Sequence, residues 1–328
     1  MTAWWRIVGA GLALLTSAQS YYPPQHTAPP PPLFARATPQ EVQAAADGGT
    51  QLEHDRPARW SLAEHRRLAS ALAGVKPGRK GVVDAYVLSV ALDSDPVFGR
   101  EAREAATVLA RRYDAAGRTI VLAGSDGSAE SSLPRGAPAN IEAALARIAE
   151  VMDAKEDVLV LYTTSHGAPL GVVYNDADHG YGAISPARLW SLLGTLGIAN
   201  RLLFVSACYS GVFVPLLSGD TSIVVTAASA ERSSFGCVSD NDWTFFGDAM
   251  VNHGLRKPVP LAAAVKEATD LIARWEGEGR LLASEPQVSI GAGTAKWLAA
   301  LEARSPKVAT PPVGRPAIAS LAAVPAGR

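Results

Sequence analysis

The chain has 328 residues, 48% hydrophobic and 19% charged, which is enough apolar material for one large domain core with tails at both ends and excludes disorder throughout. Lys and Arg number 30 against 31 Asp and Glu, for a formal charge of −1. With no basic surplus to neutralise a phosphate backbone or an acidic membrane surface, nucleic acid is not expected as a partner.

The chain opens with Arg6 in a weakly basic stretch, an apolar run from Ile7 to Leu15, and small residues that include Ala18 and Ser20. Residues 1–20 therefore read as an export signal, too short in its apolar run for the roughly 18 residues of a spanning helix. The expected location is periplasmic or extracellular, with membrane anchoring if the segment is not cleaved; no lipid-anchor motif is evident. Residues 21–79 read as a linker, because Tyr21–Phe34 is too rich in proline for a helix or a paired strand. A short helix over Arg59–Leu72 is its one candidate element. The segment 305–328, rich in Pro and Ala, reads as a disordered tail.

Between these ends, apolar runs alternate with helical spacing. Strands are expected over 82–92, 118–124, 157–165, 201–207, 221–229 and 286–291. Phe98, Ala102, Ala105, Leu109 and Tyr113 recur on one helical face, as do Ile141, Leu145, Ile148 and Met152. Ser185-Pro186 has the form of a helix start, a capping hydroxyl followed by proline, and leads into Leu189, Leu192 and Leu196. Two more helices are expected within 243–253 and 259–276. The alternation predicts an α/β fold for residues 80–304: a three-layer α/β/α sandwich on a mainly parallel sheet of about six strands, with ligands bound beyond the carboxyl ends of the strands.

Two of those strands run directly into reactive residues. The run at 157–165 ends at His166-Gly167, and the run at 201–207 ends at Cys208. If the strands are parallel, both side chains emerge at one sheet edge. A thiol needs a neighbouring base or positive charge to become a nucleophile, and an imidazole supplies either. Gly167, without a Cβ, lets its N–H approach a substrate carbonyl, and the N–H of Cys208 would be the second donor of an oxyanion hole. Export would favour pairing Cys208 with Cys237, the only other cysteine, but the context of Cys208 favours a free thiolate. His166, His179 and His253, with Asp176, Asp178 and Asp248, show no recognisable ligand spacing, so neither a metal nor another cofactor is expected.

The blocks VLVLYTTSHG and RLLFVSAC resemble the hallmark of the caspase-like clan of cysteine peptidases. Within the clan, the chain is most similar to the legumain (asparaginyl endopeptidase) family, of a bacterial type, through ACYSG, TAASAERSSFGC (226–237) and DNDWTFFG (240–247). The resemblance implies a caspase-like fold and a cysteine endopeptidase acting on a peptide or protein. His166 would be general base and acid, Cys208 the nucleophile, Gly167 an oxyanion donor and Cys237 a nearby non-catalytic thiol. Ser233, Ser234 and Asp242 would line the pocket for the residue before the cleaved bond, although the two serines are equally readable as turn residues and Asp242 as a helix cap. Legumains place an acid of their asparagine-selecting pocket where this chain has Ser206, so Ser206 would line the pocket here, and a supporting Asn near the stretch that here reads DPVFGRE (95–101). Arg100 would stand at their pocket arginine. The alternatives are a transpeptidase or ligase using the same pair, and a non-catalytic peptide-binding protein of the cell envelope.

Overall fold

A computed structural model describes residues 36–128 and 131–323. The export segment at 1–20 and the proline-rich stretch through Phe34 lie outside the described residues. The chain first forms α1 (Pro39–Asp47), β1 (Gln51–Glu53) and α2 (Ala58–Ala73), then β2 (Ala85–Ala91), α3 (Pro96–Arg112), β3 (Thr119–Leu122), α4 (Pro138–Val151) and β4 (Val158–Thr164). Three short strands follow, β5 (Gly167–Ala168), β6 (Gly171–Asp176) and β7 (Gly180–Ile184). After them come α5 (Pro186–Thr195), β8 (Arg201–Ser206), α6 (Val214–Leu217), β9 (Ser222–Thr226), a π-helix over Gly247–Gly254, α7 (Leu261–Glu278), β10 (Gln287–Ile290) and α8 (Ala295–Glu302).

The six strands expected from the sequence assemble into one sheet of order β10-β9-β8-β4-β2-β3, parallel throughout except for the antiparallel edge strand β10. Both faces are covered, which is why the inner strands read as unbroken apolar runs. Ala85, Val87, Val160, Tyr162, Leu202 and Phe204 face one core, shared with Ala105 and Leu109 of α3, Met250 of the π-helix, and Ala264 and Ala268 of α7. Their strand neighbours Tyr86, Leu88, Leu159, Leu161 and Leu203 face the other, with Ile141 and Leu145 of α4 and Leu189 and Leu193 of α5. This is the three-layer α/β/α architecture. The α5 start behaves as its sequence requires, with Ser185 Oγ accepting the N–H of Arg188 at 3.0 Å.

A second, antiparallel sheet of order β1-β7-β6-β5 lies outside the six-strand expectation. For residues 36–73 it corrects the reading as a linker. Helix α1 and strand β1 are part of the folded body, and α2 covers the expected Arg59–Leu72 helix. Glu53 accepts hydrogen bonds from Arg135 at 2.8 Å and from Tyr174 at 2.7 Å, while Arg56 pairs with Asp176 at 2.5 Å and stacks over Trp60 at 4.2 Å. These charge-assisted contacts supply what the short apolar content of the segment cannot.

The tail is also corrected: 305–323 packs on the domain. Val313 exchanges hydrogen bonds with the Asn252 side chain at 2.8 and 3.0 Å and accepts one from the Trp243 indole at 2.9 Å. Ala317 is buried and donates its N–H to Asp248 at 2.7 Å. A segment rich in Pro and Ala makes few hydrogen bonds with itself, but here its partners are the side chains of Asn252 and Asp248 in the π-helix and of Trp243 before it. No helix among the described residues is long and apolar enough to cross a membrane.

Candidate active site

The central pair β4 and β8 sets the site. They are parallel neighbours with Thr164 opposite Ser206, so His166 and Cys208 each lie two residues beyond paired positions at the carboxyl edge of the sheet. Past the last pairing, the Ser165 N–H still donates to the Ser206 carbonyl at 3.2 Å. The β4 exit is held from the other side by the small sheet, where Val173 N donates to the His166 carbonyl at 3.0 Å and Ser165 Oγ to the Val173 carbonyl at 2.6 Å.

Gly167 is required where it stands. A Cβ there would lie 2.0 Å from the carbonyl oxygen of Cys208 and 2.9 Å from its nitrogen. Only glycine lets the two backbones meet, and this packs the main chains of the two expected oxyanion donors against each other. Tyr209, just after the cysteine, is left-handed at φ 56° and gives its N–H to the Arg232 carbonyl at 2.8 Å, so that amide is engaged elsewhere.

The His166 ring rests edge-on against the buried Phe98, with centroids 5.0 Å apart. Its Nε2 stands 3.6 Å from Asp95 Oδ2, an ion-pair distance longer than a hydrogen bond. Burial works against the imidazolium, but the contact with Asp95 and the charges of Asp93, Asp95 and Cys208 outweigh it and raise the His166 pKa above the ordinary value. Asp95 was not among the residues expected at the site. The loop that carries it is pinned to β6: Ser94 N donates to the Asn175 carbonyl at 2.9 Å, Ala177 N to Ser94 Oγ at 2.8 Å, and Asp95 N to Asp93 Oδ1 at 2.8 Å. The available signal was its position, a carboxylate just past the carboxyl end of a third parallel strand, β2, at the edge that holds His166 and Cys208.

Cys208 and Cys237 are both free and half-buried. The Cys208 pKa is pulled down to about 6, chiefly by a hydrogen bond from Cys237, against the cost of burial, with help from the Ser234 backbone, the Ser233 side chain and the charge of His166. Ser234 N lies 3.3 Å from Sγ. Cys237 is shifted the opposite way, well above its ordinary value, because its proton is held against Cys208, it is buried, and it faces Cys208, Glu101 and Asp93. One sulfur is thus set up as thiolate and the other as thiol.

The structure divides the expected pocket residues. Ser233 and Ser234 are brought to the sulfur. Arg100 and Asp242 face each other at 3.6 Å between Nε and Oδ1, but both are also held by main chain. Arg100 donates to the carbonyls of Asp126 at 2.9 Å, Ser239 at 2.5 Å and Asn241, fixing the 239–242 loop, and Asp242 accepts the Arg315 N–H at 2.6 Å. Asp242 therefore caps the incoming tail and not a helix. Ser206 corrects its expectation. It is buried, and its Oγ donates to Glu101 Oε1 at 2.9 Å. Along β8, Leu202, Phe204 and Ser206 share the face covered by α3, so the hydroxyl points into the core and not the cleft. Glu101, also unforeseen, is fully buried and accepts from Tyr162 OH at 2.7 Å and Thr244 N at 2.9 Å as well.

Asp93, Asp95 and His166 each place one potential ligand atom within 4.8 Å of the others and could hold a metal ion, but an ion there would occupy the imidazole that the thiol needs. Of the histidines and acids considered from sequence, His253 and Asp248 approach as a pair, 3.5 Å apart.

The six-stranded sheet with helices on both faces is a mainly parallel three-layer α/β/α fold, and it carries a histidine and a cysteine just past the carboxyl ends of its central strands. Residues 139–259, which hold His166, Cys208, Ser233, Ser234 and Asp242, match the model of the Peptidase C13 family, the legumain family. No curated protein matches. Among solved structures, caspase-1 from Spodoptera frugiperda is similar at 12% identity and a TM-score of 0.44, over 66% of this chain and 93% of that one. The protein is a cysteine endopeptidase, and its substrates are peptides or proteins.

Proposed function

We propose that Cys208 is the nucleophile and His166 the general base and acid of this endopeptidase. The observation that carries the assignment is the parallel register of β4 and β8, with Thr164 opposite Ser206, which delivers both side chains to one edge. With Nε2 turned to Asp95, Nδ1 is the ring nitrogen left for the thiol. The thiolate adds to the scissile carbonyl, and the oxyanion is received by the N–H groups of Gly167 and Cys208, each worth about 3 kcal/mol in the transition state. His166 then protonates the departing amine, leaving a thioester on Cys208. Water, deprotonated by His166, adds to the thioester through the same oxyanion hole and regenerates the thiolate.

Ser233, Ser234 and the Arg100–Asp242 pair would line the pocket for the side chain before the cleaved bond. A facing cation and anion suit a polar, uncharged side chain that both donates and accepts hydrogen bonds, such as a carboxamide.

The test is mass spectrometry of the folded, reduced protein after exposure to peptidyl electrophiles with amide, basic or acidic side chains. Labelling confined to Cys208, lost in Cys208→Ala, reduced in His166→Ala and strongest with the amide series is expected. Failure to label Cys208 with any series would overturn the nucleophile assignment, and preference for another series would overturn the pocket.

A further inference from the structure

The mechanism uses one of the two thiols in the site and leaves the other as a hydrogen-bond donor. Cys208 and Cys237 are the only cysteines of the chain, and the loop that carries Cys237 closes over the nucleophile: Ser234 holds its N–H 3.3 Å from Cys208 Sγ, and Cys237 packs against the cluster of Phe98, the ring on which His166 rests. Cys237 lies within residues 227–244, which contain no helix or strand, directly after Gly236 at φ +88°. Its neighbours Ser233 and Val238 are exposed, the latter at 58%, so closing the last distance between the sulfurs asks for movement of a surface loop and not of the sheet. On its inner side, Cys237 packs against the small cluster of Ala91, Val97, Phe98, Ala102 and Ala123.

We propose that Cys208 and Cys237 form a reversible disulfide when the enzyme meets a hydroperoxide, with Cys237 acting as the resolving thiol for the nucleophile. The division of labour follows from the unequal protonation of the two sulfurs. The Cys208 thiolate attacks the nearer peroxide oxygen, the O–O bond breaks, and the products are a sulfenic acid on Cys208 and hydroxide, or an alkoxide from an organic peroxide. Cys237 then attacks the sulfenic sulfur, the S–O bond breaks, and water departs with the Cys237 proton. For hydrogen peroxide the net change is two thiols and one peroxide converted to one disulfide and two waters. The outcome is an enzyme with its nucleophile locked but protected, because a sulfenic acid trapped as a disulfide is not carried on to sulfinic or sulfonic acid. A dithiol reductant reverses the lock.

The experiment is non-reducing peptide mapping of the full chain after one equivalent of hydrogen peroxide at neutral pH, with thiol alkylation before and after dithiothreitol. It reads the sulfur–sulfur bond directly and so stands apart from peptide cleavage. The expected result is a cross-linked peptide pair containing Cys208 and Cys237, two hydrogens lighter than the reduced pair, with loss of alkylation at both sulfurs and its return after reductant. Cys237→Ala should give no cross-link and should progress to irreversible sulfinic acid on Cys208. Recovery of wild-type Cys208 as sulfenic or sulfinic acid without the cross-link, or a cross-link formed only after denaturation, would overturn the proposal.

Discussion

Asp95 reaches His166 from the end of β2, its Oδ2 3.6 Å from the ring Nε2. The contact joins three neighbouring parallel strands in one functional row, since β2, β4 and β8 deliver Asp95, His166 and Cys208 in turn. A carboxylate in this position does more than orient the ring. It stabilises the imidazolium that forms beside the thiolate.

Removing that charge has a signed consequence. Asp95 raises the His166 pKa together with Asp93 and Cys208, so Asp95→Asn should move the alkaline limb of kcat/KM to lower pH while leaving the ring sterically supported. Asp95→Ala should lower kcat by roughly ten- to a hundredfold, about 1.4–2.7 kcal/mol, with KM little changed. Full pH profiles of wild type and both variants check this. An unshifted alkaline limb in Asp95→Asn would show that the charge is not felt at the ring.

The acid limb belongs to the other partner. With the Cys208 pKa near 6, the thiolate–imidazolium form should dominate from about pH 6 up to the raised pKa of His166, and the two limbs describe the pair jointly. Cys237→Ala removes the largest influence holding the Cys208 pKa down, so its acid limb should shift to higher pH. The rate of iodoacetamide alkylation of Cys208 against pH measures the shift without any substrate.

Gly167→Ala places a methyl 2.0 Å from the Cys208 carbonyl oxygen, a contact that backbone must relieve. The expected result is a fall in kcat of at least about a hundredfold, close to the loss of one oxyanion donor, with a much smaller change in electrophile binding. Measuring kcat beside the affinity for a peptide aldehyde separates these effects.

Much of this arrangement was legible in the amino acids because buried parallel strands must be continuously apolar. VLVLYTT and RLLFVS announce β4 and β8, and parallel pairing of the two places the residues after them at a common edge. Asp95 was not legible as a partner of His166. An Asp-Ser-Asp-Pro run is ordinary helix-start chemistry, and only the pairing of residues 93–94 with Asn175 aims it at the ring. Ser206 was misplaced because alternation within a strand tells which residues share a face but not which face lies over the cleft. The tail was misread for a different reason. Its hydrogen-bond partners, Asn252, Asp248 and Asp242, lie in another part of the chain, so composition alone describes only its lack of internal structure.

That tail should therefore be a stability element. A variant ending at Arg304 leaves the fully buried Asp248 without the Ala317 N–H, Asn252 without Val313, and Trp243 without a partner for its indole. At about 1–3 kcal/mol for each buried group left unpaired, a loss on the order of 3 kcal/mol or more is expected. The 239–242 loop, deprived of the Arg315 contact to Asp242, should loosen as well and raise KM. Thermal unfolding and steady-state kinetics of the shortened chain measure both effects.

Glu101 and Ser206 are bonded to each other in the core beneath the site. The Glu101 carboxylate takes hydrogen bonds from Tyr162 and Ser206 on one oxygen and from the Thr244 N–H on the other, thereby tying α3 to β4, to the end of β8 and to the chain entering the π-helix. Glu101→Ala leaves all three donors unpaired beside a new cavity and should cost roughly 3–5 kcal/mol. Glu101→Gln should cost much less, because the amide oxygen can still accept from Thr244 while its NH2 donates to the two hydroxyls. Ser206→Ala removes a single donor from the network and should cost about 1 kcal/mol. Because Ser206 faces the core, that variant should also keep the wild-type ranking of peptide side chains before the cleaved bond. Urea unfolding of the three variants, with m unchanged, gives the energies. A changed ranking in Ser206→Ala would return this residue to the pocket and contradict the burial that places it beneath.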